Sequence, residues 1–235
     1  MKMTNRFVAF IPNTLTTLNL LSGCVAIIFA FRYTESFGCL TGAEMACLMI
    51  GAATVFDFLD GASARLLKAY SLIGKELDSL ADMVSFGVAP AMLMLNMMLG
   101  YSQIEWLCYI ALFIPAMGAL RLAKFNIDDS QSTTFKGLPI PANAIFWIGM
   151  SGWFTRYGYP GTVIMAIIIV AVSLAMVSNI KMFSLKIKSL SFHENVRRYV
   201  VIIATAAFVW AYGLSGFIWA IVLYLLVSIL SRREL

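Results

Sequence analysis

The stretch that decides the fold reads Asp57-Phe-Leu-Asp60-Gly61-Ala-Ser-Ala64-Arg65, followed after eight residues by Gly74-Lys-Glu-Leu-Asp78-Ser-Leu-Ala-Asp82. Four of the six aspartates of the chain lie in these 26 residues. Hydrophobic runs long enough to cross a bilayer flank the stretch. A carboxylate at membrane depth costs at least ~2.5 kcal/mol on insertion scales. Four of them therefore predict a shared task, and divalent-metal binding is the first candidate.

The composition places the chain among polytopic membrane proteins. Hydrophobic residues make up 61% and charged residues 12%, against roughly 45–50% and 25% in soluble domains. The 235 residues leave no room for a large soluble domain once the spans are counted. Nucleic-acid binding is not expected of a chain with so little water-exposed surface.

The hydrophobic runs predict an all-α fold, a polytopic transmembrane helical bundle with a six-helix core plus two C-terminal spans. A spanning helix needs ~20 residues, and several of the runs are near or below that length. We place the spans at about 14–32, 41–66, 76–98, 103–123, 140–155, 160–180, 199–213 and 215–231. Residues 1–180 would form the membrane domain, and residues 181–235 a basic loop with two additional spans. The last pair is also compatible with a re-entrant hairpin.

An asparagine and two prolines predict where two of the spans begin. Residues 1–12 read as an amphipathic lead, with Asn13 as the N-cap of an uncleaved first span. A short turn at 69–75 would connect spans two and three, and Pro139 and Pro141 would open span five.

The positive charges predict the orientation. Of the seventeen Lys and Arg, all but Arg32 and Arg156 fall on one side of this threading, which leaves fifteen there. The positive-inside rule therefore places both termini and the aspartates in the cytoplasm. The basic inner surface suits anionic lipid head groups and nucleotide phosphates.

Helical spacing predicts that the four aspartates converge. Asp57 and Asp60 are three apart on one helix, and Asp78 and Asp82 are four apart on the next, so each pair shares a face. A short turn makes the two helices antiparallel neighbours. Hard oxygen ligands at this density suit Mg²⁺ or Mn²⁺, with two ions about 3.5–4 Å apart.

Small residues and a cation accompany the aspartates. Gly61 and Ala64 lie on or beside the aspartate face, where their lack of bulk lets a ligand or helix approach. Arg65 could grip a phosphate. A divalent-cation transporter could also use four carboxylates as an ion path, but this alternative leaves Gly61, Ala64 and Arg65 unexplained. A purely structural role for the aspartates ranks last.

The complete pattern of eight positions, from Asp57 to Asp82, resembles the signature of the CDP-alcohol phosphotransferase family. Members are integral membrane enzymes with a six-helix core that replace the CMP of a CDP-alcohol with a second alcohol. The resemblance implies that Asp57, Asp60 and Asp78 bind metal and that Asp82 touches metal and acts as general base. It also implies that Gly61, Ala64 and Arg65 line a CDP-lipid site. Gly74 is a further candidate for this site, as are Asn13 and Thr16 of the first span, for which helix capping is the alternative.

Three further stretches resemble the phosphatidylserine synthase branch of that family. They are Asp82-Met-Val-Ser-Phe-Gly-Val-Ala-Pro90, Arg121-Leu-Ala-Lys-Phe-Asn126 and Phe135-Lys136-Gly-Leu-Pro-Ile-Pro-Ala142. This implies transfer of a phosphatidyl group from CDP-diacylglycerol to L-serine. The serine carboxylate needs a cation, for which Arg121 and Lys136 are candidates, with Asn126 as a hydrogen-bonding partner.

Several alternatives stay open at this point. The acceptor could instead be glycerol 3-phosphate, inositol phosphate or choline, although a phosphate acceptor would need a denser basic cluster. A homodimer is implied by the resemblance alone. A compact enzyme with cytoplasmic termini fits a bacterial inner membrane.

Overall fold

The structure, a computed structural model, describes residues 6–69, 71–127, 135–182 and 192–230. Its helices are α1 (Arg6–Phe31), α2 (Gly42–Leu66), α3 (Leu72–Asp82), α4 (Ala89–Tyr101), α5 (Glu105–Cys108), α6 (Phe113–Ile127), α7 (Ile140–Tyr157), α8 (Thr162–Val177), α9 (Phe192–Tyr212) and α10 (Gly216–Leu230). A π-helical segment, Met83–Val88, joins α3 to α4, and a 3₁₀ segment, Tyr109–Leu112, joins α5 to α6.

The predicted all-α membrane bundle is confirmed. Among the described residues, five helical segments are long and apolar enough to cross a membrane: Phe10–Phe31, Gly42–Leu66, Leu72–Tyr101, Glu105–Ile127 and Asn195–Leu230, the last of which contains both α9 and α10. Thr162–Val177 is a shorter apolar helix. Two-residue strands add two small antiparallel pairs, β1 (Ser36–Phe37) with β2 (Leu40–Thr41), and β3 (Phe135–Lys136) with β4 (Lys181–Met182).

The first helix begins earlier than predicted. It starts at Arg6 and continues through Pro12, so the prediction of Asn13 as its N-cap is wrong. A proline inside a helix removes one backbone donor, and at Pro12 this is the amide that would bond to the Val8 carbonyl. Membrane helices tolerate an interior proline because local adjustments can satisfy the freed carbonyl.

The turn between α2 and α3 is shorter than the predicted 69–75. The α3 helix already begins at Leu72, because Ser71 caps it by accepting a hydrogen bond from the Gly74 amide at 2.9 Å. The continuous helix that follows, Leu72–Tyr101, extends beyond the predicted span at both ends. The early start brings Asp78 two turns inside the helix, opposite the end of α2.

Contacts between residues at the helix ends show which ends lie together on each side of the bundle. At one end, Tyr33 approaches Gly100, Tyr101 stacks on Tyr159 with ring centroids 5.5 Å apart, and Arg156 donates to the Ala211 carbonyl. Arg32 follows α1 at this end and pairs with Glu35. The only two cations that the charge pattern assigned to the outer side therefore belong to one end.

The opposite end carries the aspartates. There, Asn126 at the end of α6 donates to Ser79 of α3 at 3.0 Å, and Lys124 donates to the Val177 carbonyl at the end of α8. The pairing of β3 with β4 holds Lys136 opposite Lys181. Residues 128–134 and 183–191, the second of which belong to the predicted basic loop, lie outside the described residues.

The two C-terminal helices form a hairpin against α7. The α9 helix begins at Phe192, before the predicted residue 199. Two glycines of α7 face this hairpin. The α10 helix packs on Gly149, where a Cβ would lie 2.8 Å from the Ile218 nitrogen, and the 3₁₀ segment before α10, Gly213–Ser215, packs on Gly152, where a Cβ would lie 2.6 Å from the Leu214 Cβ. Close backbone approach at small residues is how membrane helices associate.

Candidate active site

Three of the four signature aspartates meet at one point. The last turns of α2 supply Asp57 and Asp60, and α3 supplies Asp78 from across the short turn. Carboxylate oxygens of these three residues lie within 4.8 Å of one another. This is the convergence that the helical spacing predicts for these three residues.

The surroundings of these carboxylates fit a cation. One oxygen of Asp60 accepts a hydrogen bond from the Thr16 hydroxyl at 2.7 Å. The Oδ1 atom of Asp78 is buried and has no hydrogen-bond partner among the described residues. A buried acceptor without a partner is costly, and hard oxygen donors are the ligands that Mg²⁺ and Mn²⁺ prefer. The donor set therefore fits a divalent metal.

Asp82 lies outside this group of three. It follows Asp78 by one turn on α3 and directly precedes the π-helical segment. The residue is buried, with 8% of its surface exposed. The charges of Asp57 and Asp78 act on it. Its Oδ1 atom accepts a hydrogen bond from the Asn19 side-chain amide at 3.3 Å. The environment of Asp82 thus differs from that of the three clustered aspartates.

A cavity of about 220 Å³ adjoins the carboxylate cluster. Its walls include five residues of the predicted CDP-lipid site: Asn13, Gly61, Ala64, Arg65 and Gly74. Asp60 and Asp78 also line it, so the cavity and the carboxylate cluster share two residues. A Cβ at Gly74 would lie 3.1 Å from Asn13 Oδ1, and the glycine therefore keeps this wall open.

Thr16, the sixth residue of the predicted CDP-lipid site, is placed differently. It is not among the residues that line the cavity. Its hydroxyl lies 2.7 Å from Asp60 Oδ2 and 3.0 Å from the Pro12 carbonyl, and its single proton points to the nearer acceptor, Asp60. Thr16 is therefore in a position to orient a carboxylate.

A second cavity, of about 280 Å³, opens at the same end between α6, α8 and the short β3–β4 pair. Arg121, Lys124 and Lys136 line it, which brings both predicted serine-binding cations together. Arg121 is buried to 8% exposure, packs over the Phe125 ring, and has a buried Nε atom without a hydrogen-bond partner in the described chain. The positive charge of Arg121 also acts on the Asp82 carboxylate.

Asn126, the remaining candidate for serine binding, does not line this basic cavity. Its side chain donates to Ser79, and its backbone carbonyl accepts from Lys75 at 3.3 Å. These contacts join the end of α6 to α3.

Two buried polar residues at the site are absent from the predicted set. Asn19 contacts Asp82, and Ser85 donates to the Asn19 carbonyl at 2.9 Å. A signal for Asn19 exists in the sequence: Asn13, Thr16 and Asn19 recur every three residues along α1, which places them on one face.

The chain is similar to a known family and to several known proteins. The model of the CDP-alcohol phosphatidyltransferase family matches residues 9–187. A CDP-diacylglycerol–serine O-phosphatidyltransferase of Mycobacterium leprae is 33% identical over 225 residues, which are 91% of this chain and 71% of that protein. The enzyme of the same name from Bacillus subtilis is 38% identical over 174 residues, 73% of this chain and 89% of that protein.

Coverage of the relatives varies. The Mycobacterium tuberculosis protein of the same name is 33% identical over 177 residues, which span 58% of its length and 67% of this chain. The family match extends from the first turn of α1 through α8 and includes all eight signature positions. The chain therefore belongs to the CDP-alcohol phosphatidyltransferase family.

Proposed function

We propose that the protein transfers the phosphatidyl group of CDP-diacylglycerol to the hydroxyl of L-serine, giving phosphatidylserine and CMP in a metal-dependent reaction. One observation carries the proposal: Asp60 and Asp78 belong both to the carboxylate cluster and to the wall of the cavity lined by Gly61, Ala64 and Arg65. A diphosphate in that cavity would lie beside the metal ligands. The names of the relatives support serine as acceptor.

The metal would be Mg²⁺ or Mn²⁺, as two ions, held by Asp57, Asp60 and Asp78 with Asp82 at the edge of the site. When bound, such ions neutralise the diphosphate and stabilise the charge that develops as CMP leaves. Thr16 would orient Asp60, whose oxygen it binds.

The residues of the cavity would position the nucleotide lipid. Gly61, Ala64 and Gly74 leave room where larger side chains would fill the wall. The Arg65 guanidinium, which lines the cavity, would bind a phosphate through its paired N–H donors. Asn13 would hydrogen-bond the nucleotide from α1.

Asp82 would act as general base. It would accept the proton of the serine hydroxyl as the serine oxygen forms a bond to the lipid-linked phosphorus, while the bond from that phosphorus to the CMP oxygen breaks. No side chain in the described site stands out as a covalent nucleophile, so a single direct displacement is the simplest mechanism.

The basic cavity would hold the acceptor. Arg121 and Lys136 would bind the serine carboxylate, since a fork of guanidinium donors matches a carboxylate. Asn126 would contribute indirectly by joining α6 to α3, because its side chain is committed to Ser79.

We further propose that the aspartate end faces the cytoplasm of a bacterial inner membrane, with both termini on that side. Residues 1–180 would form the catalytic membrane domain, and residues 181–235 the basic loop and the additional hairpin. The extent of the family match, residues 9–187, supports this division. A homodimer stays a prediction from the family.

The decisive experiment measures CMP release by the detergent-purified protein with CDP-diacylglycerol and Mn²⁺ or Mg²⁺. Serine, glycerol 3-phosphate, inositol phosphate and choline are offered one at a time, with chelator-treated protein as the control. Release with serine alone, with phosphatidylserine as product, supports the proposal. Release with another alcohol would support the proposed transfer reaction but show that serine is not the acceptor. Metal flux in vesicles without a lipid product would instead favour a cation transporter.

A further inference from the structure

Asp82 has a buried neighbour on α1 that the signature does not include. Asn19 is 0% exposed, and its side-chain amide donates to Asp82 Oδ1 at 3.3 Å. This distance is at the long end for an N–H···O bond, and catalytic hydrogen bonds are often long before substrate binds.

The position of Asn19 is fixed by a second contact with the same helix as Asp82. Ser85, also 0% exposed, lies in the π-helical segment one turn after Asp82 and donates its hydroxyl to the Asn19 carbonyl at 2.9 Å. Gly23 permits this approach, since a Cβ there would lie 2.7 Å from the Ser85 Cα. Two hydrogen bonds and one close contact therefore lock α1 to the helix segment that carries Asp82.

A carboxylate needs such a partner if it is to accept a proton in a defined direction. The last torsion of an aspartate side chain is broad and poorly defined by sterics alone. A donor on Oδ1 selects one rotation and leaves Oδ2 for the proton. The Asn19 Oδ1 atom, buried without a partner among the described residues, adds no competing bond to a neighbouring side chain.

We infer that Asn19 is a positioning residue that fixes the rotation of the Asp82 carboxylate, with Ser85 holding the Asn19 backbone. The inference rests on the proposed role of Asp82 as general base. It assigns a function to α1 in the chemical step, distinct from the contact of Thr16 with Asp60.

The chain offers a matched control. Asn143 is likewise 0% exposed and packs against the same π-helical segment, where it donates to the Phe86 carbonyl at 3.4 Å and accepts from Trp147 at 2.8 Å. These hydrogen bonds involve no carboxylate. Loss of Asn143 therefore removes one buried hydrogen bond between helical segments and one within α7, without touching the base.

The test compares Asn19→Leu with Asn143→Leu in the CMP-release assay and in thermal unfolding. We expect Asn19→Leu to lower kcat by roughly 10- to 100-fold, because misplacing a reacting group by about 1 Å costs up to about that much. The KM values for serine and CDP-diacylglycerol should stay within about threefold, since neither binding cavity is altered. Asn143→Leu should lower the Tm and leave the kcat of the folded protein within about threefold.

Three results would overturn the inference: a kcat of Asn19→Leu within twofold of the parent value, a change confined to KM, or an equal loss of kcat in Asn143→Leu. If Asn19→Leu does not fold, Ser85→Ala replaces it, with the same expected pattern at a smaller size and an unchanged kcat as the contrary result. CMP release by the unmutated protein distinguishes failure of this inference from failure of the proposed function. Activity with a different alcohol moves the comparison to that alcohol, and no turnover with any alcohol removes both.

Discussion

The carboxylates at the aspartate end of the bundle occupy two kinds of environment. Asp57, Asp60 and Asp78 gather their oxygens within 4.8 Å, whereas Asp82 stands apart, with an amide donor on one of its oxygens. Carboxylates that lie close together can bind one cation jointly, and the bound cation offsets their mutual repulsion. A general base instead needs a fixed orientation and a free lone pair to accept the proton.

The first prediction concerns Asp82. In Asp82→Asn, we expect kcat to fall by about 10²–10⁴-fold, the usual contribution of a general base, because an amide cannot accept the serine proton. Binding of CDP-diacylglycerol, measured by calorimetry in detergent, should change little, because Asp82 does not line the nucleotide cavity. Retained turnover would remove Asp82 as the base.

The second prediction concerns Arg121. Arg121→Ala should raise the KM for serine by roughly 10- to 100-fold, the size of a lost hydrogen bond between charged groups, and should raise the KM for CDP-diacylglycerol much less. Steady-state kinetics with each substrate varied in turn provides the measurement. Arg156→Ala, at the opposite end of the bundle, is the control. Equal increases in both KM values would argue against a carboxylate-binding role.

At the scale of elements, α1 links the two helices that carry the aspartates. Thr16 on this helix reaches Asp60 of α2, and Asn19 reaches Asp82 of α3. The same face of α1 that packs against both neighbours thus carries a polar contact to each kind of carboxylate. One face of α1 therefore both packs against α2 and α3 and orients a carboxylate on each of them.

The hairpin of α9 and α10 joins the core through α7, which leads to a third prediction. Gly152→Ala should lower the Tm in detergent, with a destabilisation of about 1–3 kcal/mol, because the added Cβ would lie 2.6 Å from the Leu214 Cβ and 2.8 Å from the Ser215 nitrogen. Gly51→Ala in α2 is the matched control, since nothing lies within 4 Å of its added Cβ. In that position alanine should be neutral or stabilising. A Tm for Gly152→Ala as high as that of Gly51→Ala would contradict the packing of the hairpin.

At the scale of the whole molecule, the two ends of the bundle differ in chemistry. One end carries Arg32, Arg156 and stacked aromatic rings, and the other carries the aspartates and both cavities. Lipid-linked CDP and a small polar acceptor would therefore enter from one side of the membrane.

The fourth prediction tests which side that is. Cys39 is exposed between β1 and β2, close to Arg32. In a variant that keeps Cys39 as its single cysteine, a membrane-impermeant maleimide should label intact spheroplasts. A single cysteine introduced by Ser71→Cys, at the aspartate end, should react only after permeabilisation. The reverse pattern would invert the proposed orientation.

Much of this arrangement could be predicted from the sequence because its causes are local. The hydrophobic runs determine which segments span the membrane. The spacing of Asp57, Asp60 and Asp78 determines that they share faces of two helices joined by a short turn. Even the start of α7 at Ile140 follows from the adjacent prolines.

Other features depended on the packing of distant segments. The bond from Thr16 to Asp60 joins residues 44 apart, and the bond from Asn19 to Asp82 joins residues 63 apart. Helical periodicity gives the face on which a residue lies, but not the neighbour that this face meets. The rotation and tilt of α1 against α2 and α3 set these contacts.

The sequence by itself thus determined the membrane class, the helices and the set of acidic residues, because hydrophobicity and periodicity act over a few turns. Only the tertiary structure decided that Asp82 is bonded to Asn19 beside the cluster of the other three aspartates, that Asn126 joins two helices, and that α10 and the segment before it pack on Gly149 and Gly152 of α7. These outcomes depend on side-chain contacts across helices, which no local pattern specifies.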